Sequence, residues 1–141
     1  MSNASSNYVE NITLDWWLKG NSGAYTPPNT ANLYVALFYG TAAGVLTNLE
    51  AGTLTDEITL GDYTRKSVTF GTVSGGAVSN SGPVTWDPAT ANYDGDVTCL
   101  AVMDASSGGN VLFYGELTLA KTVSTGDQFQ IATGNLTISL T

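Results

Sequence analysis

Three apolar runs constrain this chain more than any other feature: 33–39 (LYVALFY), 97–103 (VTCLAVM) and 111–118 (VLFYGELT). Each has the length of a strand, and 33–39 is suited to a central one. Weaker candidates surround them: 57–60, 67–70 with Val68 and Phe70 on one face, 71–79 around Gly75-Gly76, 84–86 after Pro83, 121–123, 129–131, and 136–140 (LTISL). Gly, Asn and Asp punctuate the intervals, as in Asp104-Ala105-Ser106-Ser107-Gly108-Gly109 and Ser124-Thr125-Gly126-Asp127. These residues favour tight turns. No helical periodicity lies between the candidates, which argues against a parallel βαβ fold. The predicted fold is mainly β: an antiparallel two-sheet β-sandwich, jelly-roll-like or immunoglobulin-like, in one domain over 1–141. Sequence alone leaves the strand order open.

One short N-terminal helix precedes the strands. Tyr8, Ile12 and Trp16 recur at i, i+4 and i+8, with Val9 and Trp17 beside them and Leu14 and Leu18 widening the stripe. Asn7 is placed to cap the start, with Glu10 three residues on as in a capping box. Gly20 is a natural stop. Residues 1–20 therefore read as a tail and helix that can serve as an assembly arm. Tyr8, Trp16 and Trp17 are its candidate contact residues, because Tyr and Trp dominate interface energetics. The competing reading is that these rings only fasten the helix to the sandwich. Adjacent Trp16 and Trp17 stand about 100° apart on a helix, so one can face the body and the other a partner. The polar stretch 21–32 contains Tyr25 and Pro27-Pro28, and reads as an extended connection.

Charge narrows the function. Only 11% of residues are charged, and four cations face twelve acids for a net charge of −8. Four scattered cations, Lys19, Arg65, Lys66 and Lys121, cannot form a phosphate-binding patch, so neither nucleic acid nor an anionic membrane is an expected partner. A surface with this little charge is expected to be uncharged polar or covered by neighbours. The opening Met1-Ser2-Asn3-Ala4-Ser5-Ser6 has no basic or apolar segment of a secretory signal, and no run reaches the length of a membrane span.

Candidate chemistry is sparse. The chain has no histidine, which removes the commonest general base and imidazole ligand. Cys99 is the single cysteine, sits in an apolar run, and reads as a core thiol without an activating base. Asp56-Glu57 and Asp94-Gly95-Asp96 are the closest acids. As a glycosidase pair or a Ca²⁺ loop they lack the expected pattern, and they read as turns, with Gly95 supplying a positive φ. Arg65 reads either as a partly buried, bidentate partner of a carboxylate such as Asp62 or Asp104 or as a surface residue. The glycine-rich 71–76 lacks a following Lys-Ser/Thr and reads as a hairpin. No residue is assigned a catalytic, cofactor-binding or metal-binding role.

The order of segments carries a resemblance. It runs Leu14-Asp15-Trp16-Trp17-Leu18, then Leu33-Tyr34-Val35-Ala36-Leu37-Phe38, then Gly61-Asp62-Tyr63-Thr64-Arg65-Lys66-Ser67-Val68-Thr69-Phe70. Ser79-Asn80-Ser81, Met103-Asp104-Ala105-Ser106-Ser107-Gly108-Gly109-Asn110-Val111-Leu112, Tyr114-Gly115, Lys121-Thr122-Val123, Gly126-Asp127 and Leu136-Thr137-Ile138-Ser139-Leu140 follow. From about Tyr8 the chain resembles a family of small structural proteins of tailed bacteriophages, often labelled tail-fibre-like, some of which act as capsid decoration (cement) proteins. The family pattern implies a polar loop over 41–56, where this chain has an apolar, Thr-rich stretch.

The resemblance implies a non-enzymatic virion protein, assembled in the host cytoplasm, whose partners are the major capsid protein or other virion proteins. It also implies a homo-oligomer, with a trimer as one arrangement. Capsid decoration is the first expectation, because a fibre would carry a long fibrous segment. A tail- or head-fibre subunit that binds a host receptor is the second. A carbohydrate-active enzyme is the reading from another class.

Overall fold

The computed structural model describes residues 3–20 and 33–140. The expected connection with Tyr25 and Pro27-Pro28 lies outside the described residues. The elements are β1 (Asn3–Ser5), α1 (Asn7–Lys19), β2 (Tyr34–Tyr39), α2 (Ala42–Glu50), β3 (Lys66–Ser67), β4 (Ala77–Ser79), β5 (Val84–Thr85), β6 (Val97–Met103), β7 (Val111–Lys121), β8 (Gln130–Ile131) and β9 (Thr137–Ser139).

The three apolar runs become adjacent strands. One five-stranded antiparallel sheet has the order β1-β7-β6-β2-β3. Strand β6 lies between the other two apolar strands and is buried at every position but Thr98. Its side chains alternate across the sheet, as strand geometry requires. Cys99, Ala101 and Met103 share one face with Ala36 and Phe38 of β2, and Val45 and Leu49 of α2 cover it. Leu100 and Val102 share the other face with Val35 and Leu37, packed against Trp86, Phe129, Ile131 and Leu136. The Trp86 and Phe129 rings meet edge to face, with centroids 5.3 Å apart.

The mainly-β, antiparallel class read from the sequence is the observed one. Two details differ. The layer facing Leu100 is not one sheet: it holds two short ribbons, β4-β9 and β5-β8. The stretch 41–56 is also not a loop throughout, because Ala42–Glu50 is a second helix. Ala42, Val45, Leu46 and Leu49 have the i, i+3, i+4, i+7 spacing of a buried helical face, and all four pack on the sheet. Gly44 and Thr47 lower its intrinsic propensity, so tertiary burial stabilises it.

Loops are held by buried polar groups. Arg65 was expected to meet Asp62 or Asp104; it meets Glu57 instead. Its Nε and Nη2 donate to the two Glu57 carboxylate oxygens at 2.7 and 2.8 Å, and Nη1 donates to the carbonyls of Ala105 and Gly108. Asp62 accepts from the Thr90 hydroxyl, and Asp104 from the Asn110 amides. The Tyr63 hydroxyl donates to Glu57 and accepts from the Leu37 amide. Burial pushes the Tyr63 phenol far above its ordinary pKa, and the Glu57 charge adds to the effect.

Asn80 plays a similar part on the ribbon side. It donates to the carbonyls of Gly82 and Ala132 and accepts from the Leu136 amide. The hairpin expected at 71–76 is present, with Gly75 and Gly76 at φ +61° and +76° and reciprocal Ser74–Ala77 bonds. Gly61 has no room for a side chain: a Cβ there would stand 2.6 Å from the Ala91 carbonyl oxygen.

Removing one partner of a buried ion pair leaves the other charge stranded. Glu57→Ala should destabilise the fold by about 3 kcal/mol, read as a lower urea midpoint with unchanged slope. A loss below about 0.5 kcal/mol would show that water takes over the role of Glu57.

Candidate assembly surface

The arm is fastened at its root. Strand β1 pairs with β7 in the register Asn3↔Gly115, Ala4↔Tyr114, Ser5↔Phe113. Ser6 follows and is fully buried. Its amide donates to the Leu112 carbonyl at 3.1 Å, and its hydroxyl donates to the Val111 carbonyl. The same hydroxyl accepts from the Val9 amide, so Ser6, not Asn7, is the N-cap of α1. The sequence signal was present, because Ser is a strong cap, but Asn7 with Glu10 matched the capping-box spacing one residue later. Glu10 instead accepts from the Ser5 hydroxyl at 3.0 Å. Gly20 ends the helix as expected, in the left-handed conformation at φ +63°.

Beyond its root, α1 leaves the body. Tyr8 and Val9 pack against the main core, yet no residue of the helix is buried. Burial raises the Tyr8 phenol, with the Asp104 charge adding to it. Trp16 is 43% exposed and Trp17 78%. The single apolar stripe of the sequence reading is in fact two faces. At about 100° per residue, Trp17 stands roughly 180° around the helix from Tyr8. Leu14, Trp17 and Leu18, at i, i+3 and i+4, form an outward patch of their own, and all three are more than half exposed. Of the expected contact residues, Tyr8 is part of the root and Trp16 and Trp17 belong to the free part. Leu14 and Leu18 belong with Trp17 rather than with the Tyr8 stripe. An Asp15–Lys19 ion pair of 2.9 Å flanks the patch in the last turn.

A second feature lies at the other end of β7. Cys99 pairs with Glu116 and Val97 with Lys121, so one β6 residue, Thr98, faces the four β7 residues 117–120. The strand bows outward there and carries Leu119, 67% exposed. An open groove of about 620 Å³ runs between this bow and the β8 region, with Leu117, Val123 and Phe129 among its apolar walls and Lys121 and Asp127 on its lining. Neither the bow nor the groove leaves a simple trace in sequence, because both depend on a register shift.

The remaining candidates hold the fold. Asp94 accepts from the Thr59 amide at 2.6 Å, the Thr59 hydroxyl at 2.9 Å and the Leu60 amide at 3.0 Å. Burial opposes its ionisation, but these donors outweigh burial and keep its carboxyl below the usual range. Asp96 accepts from the Thr122 hydroxyl. Gly95 does not supply a positive φ as expected; its role is space, because a Cβ would stand 3.1 Å from the Tyr39 ring. Asp56 accepts from Asn48, and Glu57 turns to Arg65, so these neighbours do not face one site. Burial pushes the Cys99 thiol up, away from the reactive thiolate. Among the described residues no group of three acids or cysteines could hold a metal ion.

A family model described as podophage GP4 fiber I protein gp80 matches residues 4–139. No curated protein matches the chain.

Two outcomes follow from the anchored root and the carboxylate staple. Ser6→Ala should cost about 1–2 kcal/mol by removing the cap and a buried hydrogen bond. Trp17→Ser should stay within about 0.5 kcal/mol, as for an exposed position. Paired urea titrations separate the two, and an equal loss would place Trp17 in the core. Asp94 has a folded pKa below its unfolded one, so the unfolded chain binds its proton first as pH falls. Its contribution is complete above about pH 4 and lost as pH drops through the folded value. Asp94→Asn should therefore be less stable at neutral pH and show a shallower acid decline. Parallel declines in both proteins would remove Asp94 from the account.

Proposed function

Because the chain belongs to the podophage GP4 fiber I protein family, we propose that it is a non-enzymatic fibre subunit of a podophage virion, joined to neighbouring virion proteins through the α1 arm. The observation that carries the arm's role is its division of labour. The root is built into the sheet through β1 and Ser6, while Leu14, Trp17 and Leu18 stand bare in water. Leaving two leucines and a tryptophan exposed gives up roughly 1.5–3 kcal/mol per side chain that burial would supply. A partner surface restores that term on assembly.

Of the two virion roles expected from the sequence, the fibre has the support of the family description. Capsid decoration through the major capsid protein has no comparable support. In the fibre reading the outward partner is a host receptor and the inward one is the virion. Nucleic acid is a poor partner for a chain with a net charge of −8, because backbone binding depends on clustered cations. No described helix is long and apolar enough to cross a membrane. The engaged state of Asp94, Asp96, Asp56 and Glu57 supports a role without catalysis, since each carboxylate already serves a structural partner. Assembly in the host cytoplasm accompanies this reading.

Truncating residues 2–20 would test the arm poorly, because it also strips β1 from the sheet and Ser6 from its buried site. A triple substitution, Leu14→Ser, Trp17→Ser and Leu18→Ser, changes only exposed side chains. It should lower incorporation into particles by at least ~tenfold, the equivalent of about 1.4 kcal/mol, while circular dichroism and the urea midpoint stay near wild type. Normal incorporation would discard the arm. Imaging of labelled virions should find the protein on fibres; density confined to the capsid shell would restore the decoration reading.

A further inference from the structure

The groove beside the β7 bow differs in kind from the arm, and no residue of α1 lines it. Its floor is apolar and buried, built from Val123, Phe129, Ile131 and Leu136. Its exposed margin is rich in carboxamides. The chain has two glutamines, Gln128 and Gln130, and both line the groove together with Asn135. All three are exposed, and their side chains make no hydrogen bond among the described residues. The other asparagines of residues 33–140 are engaged. Asn48 donates to Asp56, Asn80 to the Gly82 carbonyl and Asn110 to Asp104, while Asn92 accepts from the Thr125 amide. The fold thus gathers its free carboxamides at one place. The charges of the lining also cancel: it carries one cation, Lys121, and one acid, Asp127, in a chain with a net charge of −8.

These observations select a ligand chemistry. A carboxamide presents an N–H donor and a carbonyl acceptor side by side. An apolar surface laid over it would remove its water and leave both groups unpaired, which is unfavourable. The occupant therefore has to donate and accept at the margin while giving apolar surface to the floor. An anion or a cation calls for an excess of the opposite charge, and the lining has none. A neutral sugar meets each condition, because hydroxyls around its edge donate and accept, and its ring faces carry C–H groups.

We infer that the groove binds a neutral oligosaccharide, with Gln128, Gln130 and Asn135 hydrogen-bonding its hydroxyls above the floor of Val123, Phe129 and Ile131. The groove volume of about 620 Å³ lies within the range of ligand sites, about 300–1,000 Å³. Binding is independent of the arm. That the sugar belongs to a host receptor rests on the fibre reading given above.

Nuclear magnetic resonance on the whole chain tests this, because selective labelling of the glutamines isolates the side-chain amide signals of Gln128 and Gln130. The probes are short linear glucan, mannan, galactan and rhamnan oligosaccharides. An acidic polygalacturonate fragment and an apolar strand-forming peptide serve as comparisons. At least one neutral oligosaccharide should shift both glutamine signals and saturate by about 10 mM, roughly tenfold above a 1 mM dissociation constant. Replacing both side chains, Gln128→Ala with Gln130→Ala, should weaken that binding at least ~tenfold, followed through the backbone amides of Val123 and Phe129. Both substitutions are at exposed positions, and circular dichroism checks that the variant stays folded. No shift with any neutral oligosaccharide, a shift with the acidic fragment or the peptide alone, or undiminished binding by the variant would each overturn the inference. If the sugar binds while imaging confines the protein to the capsid shell, the groove stands as a sugar site and the receptor role falls.

Discussion

Strand β6 is covered on both faces and flanked on both edges, and the rest of the structure follows from that enclosure. A buried strand has no water to satisfy its amides and carbonyls, so its ladders to β2 and β7 must supply those bonds. The apolar alternation on β6 then requires two covers. Helix α2 lies over Cys99, Ala101 and Met103, while the ribbons carrying Trp86, Phe129, Ile131 and Leu136 lie over Leu100 and Val102. Irregular chain is acceptable around such a centre only if its polar groups are matched. The Arg65–Glu57–Tyr63 cluster, Asn80 and Asp94 do that matching.

The same strand order produces both features of the candidate assembly surface. Strand β7 is held by β6 on one side and, over three residues, by β1 on the other. Its beginning therefore fixes Ser6 and launches α1 from a rigid point. Its later part loses register with β6 and bows outward, opening the groove. One strand thus joins a fastened helix root to an open groove.

Legibility in the sequence followed locality. The runs of β2, β6 and β7 were readable because continuous apolarity over a strand length is a local signal, and Gly20 was readable as a helix stop. Helix α2 was legible in principle from Ala42, Val45, Leu46 and Leu49, but Gly44 and a Thr-rich setting masked it. The cap at Ser6 was one residue from the expected Asn7, since several capping-competent residues lie side by side. Of the two sequence readings of Arg65, carboxylate pairing is the observed one, but with Glu57 rather than Asp62 or Asp104, because only the packed loops decide which acid faces it. Helix geometry alone sets Trp17 about half a turn from Tyr8. Which of these faces stays exposed emerged only once the helix was set against β7.

The sequence by itself determined the class of the protein: strand-length apolar runs and turn residues impose antiparallel β structure. It also carried the order of motifs that marks a phage structural protein. The tertiary structure decided which surfaces are spare. Whether Trp17 is buried or exposed, whether the 117–120 segment pairs or bows, and which acid faces Arg65 are properties of distances between segments remote in the chain. Local composition holds no information about them, because burial and pairing are set only when the layers close.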